Sequence, residues 1–434
     1  MLHVGELGVH PPGALGVGFF VHAGAESFIG RSGDGITQPL KNAGSLNLDD
    51  GGKLRLIPLQ DRIFSNLLEA DTLDRMPELL LVCCNPDQLG PFTAEMTRFL
   101  ENLAERGRLS SAADIRREVP ITLILPNGIL AEQMLQRYEE QLHESVLMRR
   151  LPELSDEMRQ ALRDRVVRGV SLQAGGRRGT GAGTVYLLER RGSAVFAGGG
   201  DRERERIETI LTAHDYPFTH ARGVPGTRIE FDKATISIVL NVGGLIHTVK
   251  PDGDLIDLRM GDLCKDPAMS DFVHEITQAV FDVGQAIRAY PPSTKYEDIW
   301  AKHRATILAH AGHVTSSLKT FREALARGLR SVTLFSNEEW ILTPLRRYAA
   351  NAGLKKEVAL FESLRRRVQE SMAKAIRYRD QAGSGTGGKL GMSKMKLVGQ
   401  RHFNIELFYE DGSDEMVLLG TMLDTEHLVK LELT

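Results

Sequence analysis

Gly13 and Gly16, followed by Arg31, are residues near the start of this chain whose types and spacing can do chemistry. They lie in the run from His10 to Arg31, HPPGALGVGFFVHAGAESFIGR, which reads as a strand-to-helix turn, a short helix ending near Gly24 and a second strand, ESFIGR. In the G-x-G-x-x-G turn that receives a dinucleotide, the first glycine makes the tight turn and the second lets backbone approach a pyrophosphate. The third lets the helix pack on the sheet. Here Pro11 takes the first place, and Gly13 and Gly16 keep the other two. Such a turn sets the N–H groups of a helix start against an anion. An acidic residue after the second strand would bind the ribose 2′-hydroxyl of NAD, whereas an arginine accommodates a 2′-phosphate. Arg31 therefore points to NADP as the cofactor.

The elements that must position these residues are legible in outline. At 434 residues the chain is long enough for two or three domains. PELLLVCCN and VPITLILPNG are short apolar runs with the texture of buried parallel strands, separated by the helical spacing of TAEMTRFLENLAERG. Strand and helix alternate in this way to about Arg150, which predicts a doubly wound, Rossmann-like α/β sheet. From GVSLQAGG to SAVFAGGG three strand-like runs separated by glycines are expected to extend that sheet in antiparallel fashion. The polar, glycine-rich stretch after Arg31 reads as edge strands or an excursion. Gly175 to Gly183 look like a phosphate loop, but no Lys-Ser/Thr follows, so a flexible hairpin is expected. Past Pro225 the texture is helical, ending in a helix with Val358, Phe361, Leu364, Val368, Met372 and Ile376 as an apolar stripe. Gly383 to Gly388 read as a flexible linker, and FNIELFYEDGSDEMVLLGTML as a β-hairpin around Asp411-Gly412. The expected domains are residues 1–224, dinucleotide-binding; 225–382, an all-α substrate and catalytic domain; and 389–434, a β extension.

Composition narrows the partners. A net charge of −3 gives no electrostatic case for nucleic acid. No apolar run approaches the length of a membrane span, and the first residues lack the basic and apolar regions of a signal peptide. Three cysteines make no disulfide framework, and Cys83 and Cys84 sit in an apolar strand as core residues. A cytoplasmic protein with a small-molecule substrate is the expectation, with a homodimer compatible with it.

Four segments resemble the ketopantoate reductases, NADP-dependent enzymes of the 6-phosphogluconate-dehydrogenase-like superfamily, over about Gly5 to Glu362. They are the PPGALG turn with Arg31; LLLVCCNPDQL, with Gln88 at the family's glutamine and Asn85 where it has a lysine; LILPNGI, with Asn127 at the residue that orients nicotinamide and substrate; and Lys233-x3-Ser237-x3-Asn241, similar to the family's Lys-x3-Asn-x3-Asn. HVTSSLKTF is similar to the substrate-binding segment, with Ser316 aligned to the serine that holds the substrate carboxylate and Ser317 beside it. Glu275 matches a helix glutamate near the hinge between domains.

Residues four and eight apart share a helix flank, so Lys233, Ser237 and Asn241 can face a common cleft. Reducing a ketone with hydride requires a proton, or a positive charge, at the developing alkoxide, and a lysine supplies either. Polar residues among ISIVL on a helix buried nearly all round need partners. The resemblance thus implies an oxidoreductase acting on a small 2-oxo acid or related ketone or imine. Lys233, Asn127 and Glu275 are its catalytic candidates; Gly13, Gly16, Arg31, Gln88 and Asn127 would bind the cofactor, and Ser237, Asn241 and Ser316 the substrate. The family's further catalytic-domain glutamate should fall near Val332, where no acid stands, although Glu338 and Glu339 follow. With Pro11 and Asn85, that departure also supports a non-catalytic dinucleotide-binding or scaffold protein of the same fold. His310 and His313 lack a third ligand at metal spacing, so no metal is expected.

Overall fold

In the computed structural model the described residues are 2–4, 27–29, 42–50, 52–58, 63–64, 67, 78–82, 86, 89–130, 135–136, 140, 156–171, 174–178, 185–190, 194–213, 218–384, 405–409, 416–421 and 428–431. The chain divides into two compact units, Met1–Lys233 and Ala234–Thr434.

The first unit is built on a sheet of eight strands. Six run parallel: β1 (Leu2–Val4), β2 (Ser27–Ile29), β5 (Ile63–Phe64), β6 (Leu79–Val82), β7 (Ile121–Ile124) and β8 (Val166–Ser171). Their spatial order, β5-β2-β1-β6-β7-β8, is the 3-2-1-4-5-6 order of dinucleotide-binding folds, with the reversal of direction between β1 and β6. β6 and β7 are buried along their whole length, as strands covered on both faces must be. Helix α1 (Leu89–Glu105) presents Leu89, Phe92, Met96, Phe99, Leu100 and Leu103 as one buried stripe. Among the described residues α2 (Ala112–Glu118), α3 (Asp156–Asp164) and α4 (Asp201–Ala213) follow.

The glycine-separated strands depart from expectation. Only β11 (Ala194–Ala197) extends the main sheet antiparallel, on β8, and β12 (Phe218–His220) then runs parallel to β11. β9 (Ala174–Arg178) and β10 (Val185–Arg190) form a hairpin in a separate sheet, ordered β4-β3-β10-β9, with β3 (Ser45–Asp50) and β4 (Lys53–Pro58). The polar stretch after Arg31 therefore supplies half of a second sheet. Alternation along β3, with Leu46 and Leu48 buried and Asn47 half-buried, gives that sheet one apolar face.

The helix that opens the second part of the chain, α5 (Gly226–Ser237), passes without a break into a π-helical turn, Ile238–Gly243, and then α6 (Gly244–His247). The later helices are α7 (Asp262–Lys265), α8 (Pro267–Ala286), α9 (Tyr296–Leu308), α10 (Ser316–Ala326), α11 (Ser336–Asn351) and α12 (Lys355–Ser384). On α12 Phe361, Leu364, Val368 and Met372 are sealed in the core, and Val358 at its start is half-buried. This helix continues into the glycine-rich stretch as far as Ser384. The C-terminal segment is the expected hairpin, β13 (Ile405–Tyr409) and β14 (Met416–Thr421), with a third antiparallel strand, β15 (Leu428–Leu431), added on β14. Among the described residues no helix is long and apolar enough to cross a membrane.

Candidate functional site

In a parallel sheet of this order, ligands lie beyond the carboxyl ends of the strands, at the reversal between β1 and β6. The glycine turn (Pro11, Gly13, Gly16), Arg31, Cys83, Cys84, Asn85 and Gln88 lie outside the described residues, so strand order alone marks where a ligand would sit in this unit. Asn127 is described. It stands half-buried three residues past the carboxyl end of β7, in a turn whose Gly128 has φ +122°, a conformation an L side chain rarely adopts. The Asn-Gly pair read from the sequence is thus a turn requirement as well as a possible contact point.

Lys233, near the end of α5, is half-buried. Ser237 closes α5 and is 4% exposed; Asn241, in the π turn, is 8% exposed. Four α-helical residues overshoot a full turn by about 40°. The wider π turn cancels part of that advance, so Asn241 falls back toward the flank of Ser237. Single π turns of this kind are frequent at functional sites. Their neighbours Ile236, Ile238, Val239 and Leu240 are buried, which is the all-round burial the sequence predicted.

The π turn packs against α8, α10 and α11. Close approach is allowed by Gly243, where a Cβ would come within 3.3 Å of the Phe272 ring of α8. At the start of α10, the Thr315 hydroxyl caps the helix by accepting the Leu318 N–H at 3.1 Å. One residue into the helix, Ser317 is 2% exposed and donates its hydroxyl to the Oε1 of Glu338, in the first turn of α11. Glu338 is completely buried, and its Oε2 has no hydrogen-bond partner among the described residues. Burial disfavours the carboxylate more than the Ser317 hydroxyl and a backbone N–H favour it, so its pKa is pushed up to about 7. A carboxylic acid poised near neutrality beside a buried hydroxyl is a general acid, base or hydrogen-bond donor by its chemistry.

Sequence reasoning named Ser316 and gave Glu338 only as a nearby acid. Ser316 opens α10, and its side chain is outside those described; Ser317 is the serine that turns into the core. Val332 is itself buried, at 6% exposure, so the position without an acid is a packing position, and the buried acid stands six residues on. The signal available in the sequence was the apolar run on either side of Asn337-Glu338-Glu339, which ranks an acid there as buried or capping. Glu275 is exposed on α8. His310 and His313 pack edge to face at 5.9 Å, and no group of three or more potential metal ligands occurs among the described residues.

No protein-family model and no curated protein matches this chain. Solved structures do. D-mandelate dehydrogenase, in a ternary structure with NADH and anilino(oxo)acetate, aligns over 86% of this chain and 99% of its own, at 15% identity and a TM-score of 0.59. A probable 2-dehydropantoate 2-reductase from Bacillus subtilis aligns over 84% and 100%, at 14% identity and 0.52. A ketopantoate reductase from Ralstonia eutropha aligns over 85% and 99%, at 16% identity and 0.51. The chain has the fold of these proteins: a Rossmann-like unit followed by a helical one.

Proposed function

We propose that this protein is a pyridine-nucleotide-dependent oxidoreductase that reduces a small 2-oxo acid, or a related ketone or imine, with a preference for NADP(H). The observation that carries the reading is the buried Ser317–Glu338 pair, packed beside the π turn that holds Asn241. A buried acid six residues past Val332 supports turnover against one of the three departures that favour a protein without it. Pro11 and Asn85 remain as the support for a dinucleotide-binding protein that has lost catalysis.

The dinucleotide fits the strand order of the first unit, with Gly13, Gly16, Gln88 and Asn127 to hold it and Arg31 to meet a 2′-phosphate. When bound, a reduced nicotinamide supplies the hydride. Lys233 donates the proton to the carbonyl oxygen, or holds a positive charge against it as it becomes an alkoxide. Glu338, protonated in part at neutral pH, holds Ser317 and with it the start of α10, where Ser316 stands. Ser237 and Asn241 bind hydroxyl or carboxylate oxygens, and Ser316 meets the carboxylate. Glu275, exposed on α8, acts at the edge of the site or not at all.

Titration of the purified protein with NADPH and NADH, followed by nicotinamide fluorescence and calorimetry, tests the reading first. NADPH oxidation in the presence of phenylglyoxylate or 2-dehydropantoate tests it second. Absence of binding at millimolar dinucleotide refutes it. Binding without turnover on any 2-oxo acid favours the non-catalytic reading.

A further inference from the structure

Arg168 is an arginine buried in the middle of the main sheet, on β8, opposite Ile124 at the carboxyl end of β7. All five of its N–H donors are satisfied. Nε donates to Glu230 Oε1 at 2.6 Å; Nη1 donates to the carbonyls of Ile124 (2.7 Å) and Gly169; Nη2 donates to those of Pro126 (2.7 Å) and Gly128 (3.1 Å). Pro126 and Gly128 flank Asn127. The same Glu230 oxygen accepts the Leu130 N–H at 2.8 Å, so the turn is held through its carbonyls by one partner and through its far N–H by the other.

Glu230 is 1% exposed and stands on α5, three residues before Lys233 and on the same flank. The helix start lies against Arg168: a Cβ at Gly226 would sit in ordinary van der Waals contact, 3.4 Å from the Arg168 Cβ. Two charges removed from water in the core are a costly way to hold a sheet together, since an apolar pair of similar size often serves stability as well or better. What an apolar pair cannot do is fix three carbonyls and an N–H of one turn in place.

We propose that Arg168 and Glu230 are positioning residues, which hold the backbone on either side of Asn127 and tie that turn to the helix carrying Lys233. The inference rests on the proposed function for the role of Asn127, and on geometry alone for the clamp. A lysine at 168 keeps the charge pair but has three donors on a single nitrogen, and cannot span the carbonyls of Ile124, Pro126 and Gly128 together.

The test uses Arg168→Lys, with Arg168→Met/Glu230→Leu as the charge-free alternative if the lysine variant does not fold. Hydrogen exchange reads the clamp directly. The expected result is exchange across residues 125–130 at least tenfold faster, with β6 and β7 unchanged. Unchanged exchange in 125–130 overturns the clamp, whatever the protein turns over. The functional half is read by a cycle with Asn127→Ala, using NADPH and phenylglyoxylate. Arg168→Lys should lower kcat at least tenfold and raise the NADPH KM, and adding Asn127→Ala should then cost little more in either. Independent, additive losses overturn the route through Asn127. A wild-type protein that binds no dinucleotide refutes the proposed function and the Asn127 role with it, while faster exchange in the same protein still upholds the clamp.

Discussion

Glu338→Gln should make this protein more stable at alkaline pH. The glutamate is fully buried, and its pKa rises from an ordinary 4.5 to about 7. As pH rises from 4.5 towards 7, the unfolded chain gives up this proton while the folded chain keeps it. Stability therefore falls over that window, and the contribution of the neutral acid, complete below pH 4.5, is gone above pH 7. At about 1.4 kcal/mol per pH unit between the two pKa values, the loss is about 3 kcal/mol in all, most of it between pH 4.5 and pH 7. Glutamine is nearly isosteric, carries no charge at any pH, and its carbonyl can still accept the Ser317 hydroxyl. The two proteins should thus unfold at similar temperatures at pH 5. At pH 8 the variant should be the more stable, by roughly 6–12 °C at about 2–4 °C per kcal/mol for a unit of this size. Differential scanning calorimetry of both proteins across this range measures the difference, and every titrating group they share cancels in it. Parallel curves, with no divergence above pH 6, would show that Glu338 ionises at an ordinary pH and that its burial has been misjudged.

Three further outcomes are expected at the proposed site. Lys233→Ala should abolish ketone reduction and leave dinucleotide affinity intact, because a proton donor acts on the transition state and not on the distant adenosine; unchanged turnover in steady-state assays removes Lys233 from the mechanism. Arg31→Ala should weaken NADPH by about 1.5–3 kcal/mol, tenfold or more, and NADH far less, since a guanidinium meets phosphate through charge-assisted hydrogen bonds. Equal wild-type affinity for both cofactors in fluorescence titration counts against that role. Pro11→Gly should raise NADPH affinity or leave it unchanged, because proline has no N–H for a phosphate and a φ held near about −65°; a clear fall in affinity by calorimetry would show that the prolines preorganise the turn.

Much of this molecule is local information. The runs LLLV and ITLI, apolar but for Thr122, state that their strands are buried on both faces, since a half-exposed strand would alternate polar with apolar residues. The stripe from Phe361 to Met372 places one face of a long helix in a core before any fold is known. Lys233, Ser237 and Asn241 were legible as a polar set on an apolar helix, and Asn127-Gly128 as a turn beyond a strand. None of these needed a partner elsewhere in the chain to be read.

What the sequence could not decide depends on contacts between residues far apart. Strand pairing is one: β8 and β9 look alike as glycine-bearing strands, yet one joins the main sheet and the other a separate sheet, because register and neighbours are chosen by long-range pairing. The π turn is another: Ile238–Gly243 has no composition that separates it from an α-helix, and it packs on α8, α10 and α11, elements far along the chain. Arg168 in a strand and Glu230 on a helix carry no local signal that they meet. Only folding brings them together across 62 residues, and only burial makes five hydrogen bonds from one guanidinium necessary. Glu338 is the plainest case. Its type and spacing are those of a capping acid, and it becomes a neutral-pH acid because the tertiary structure takes water from it and leaves Ser317 as its side-chain partner.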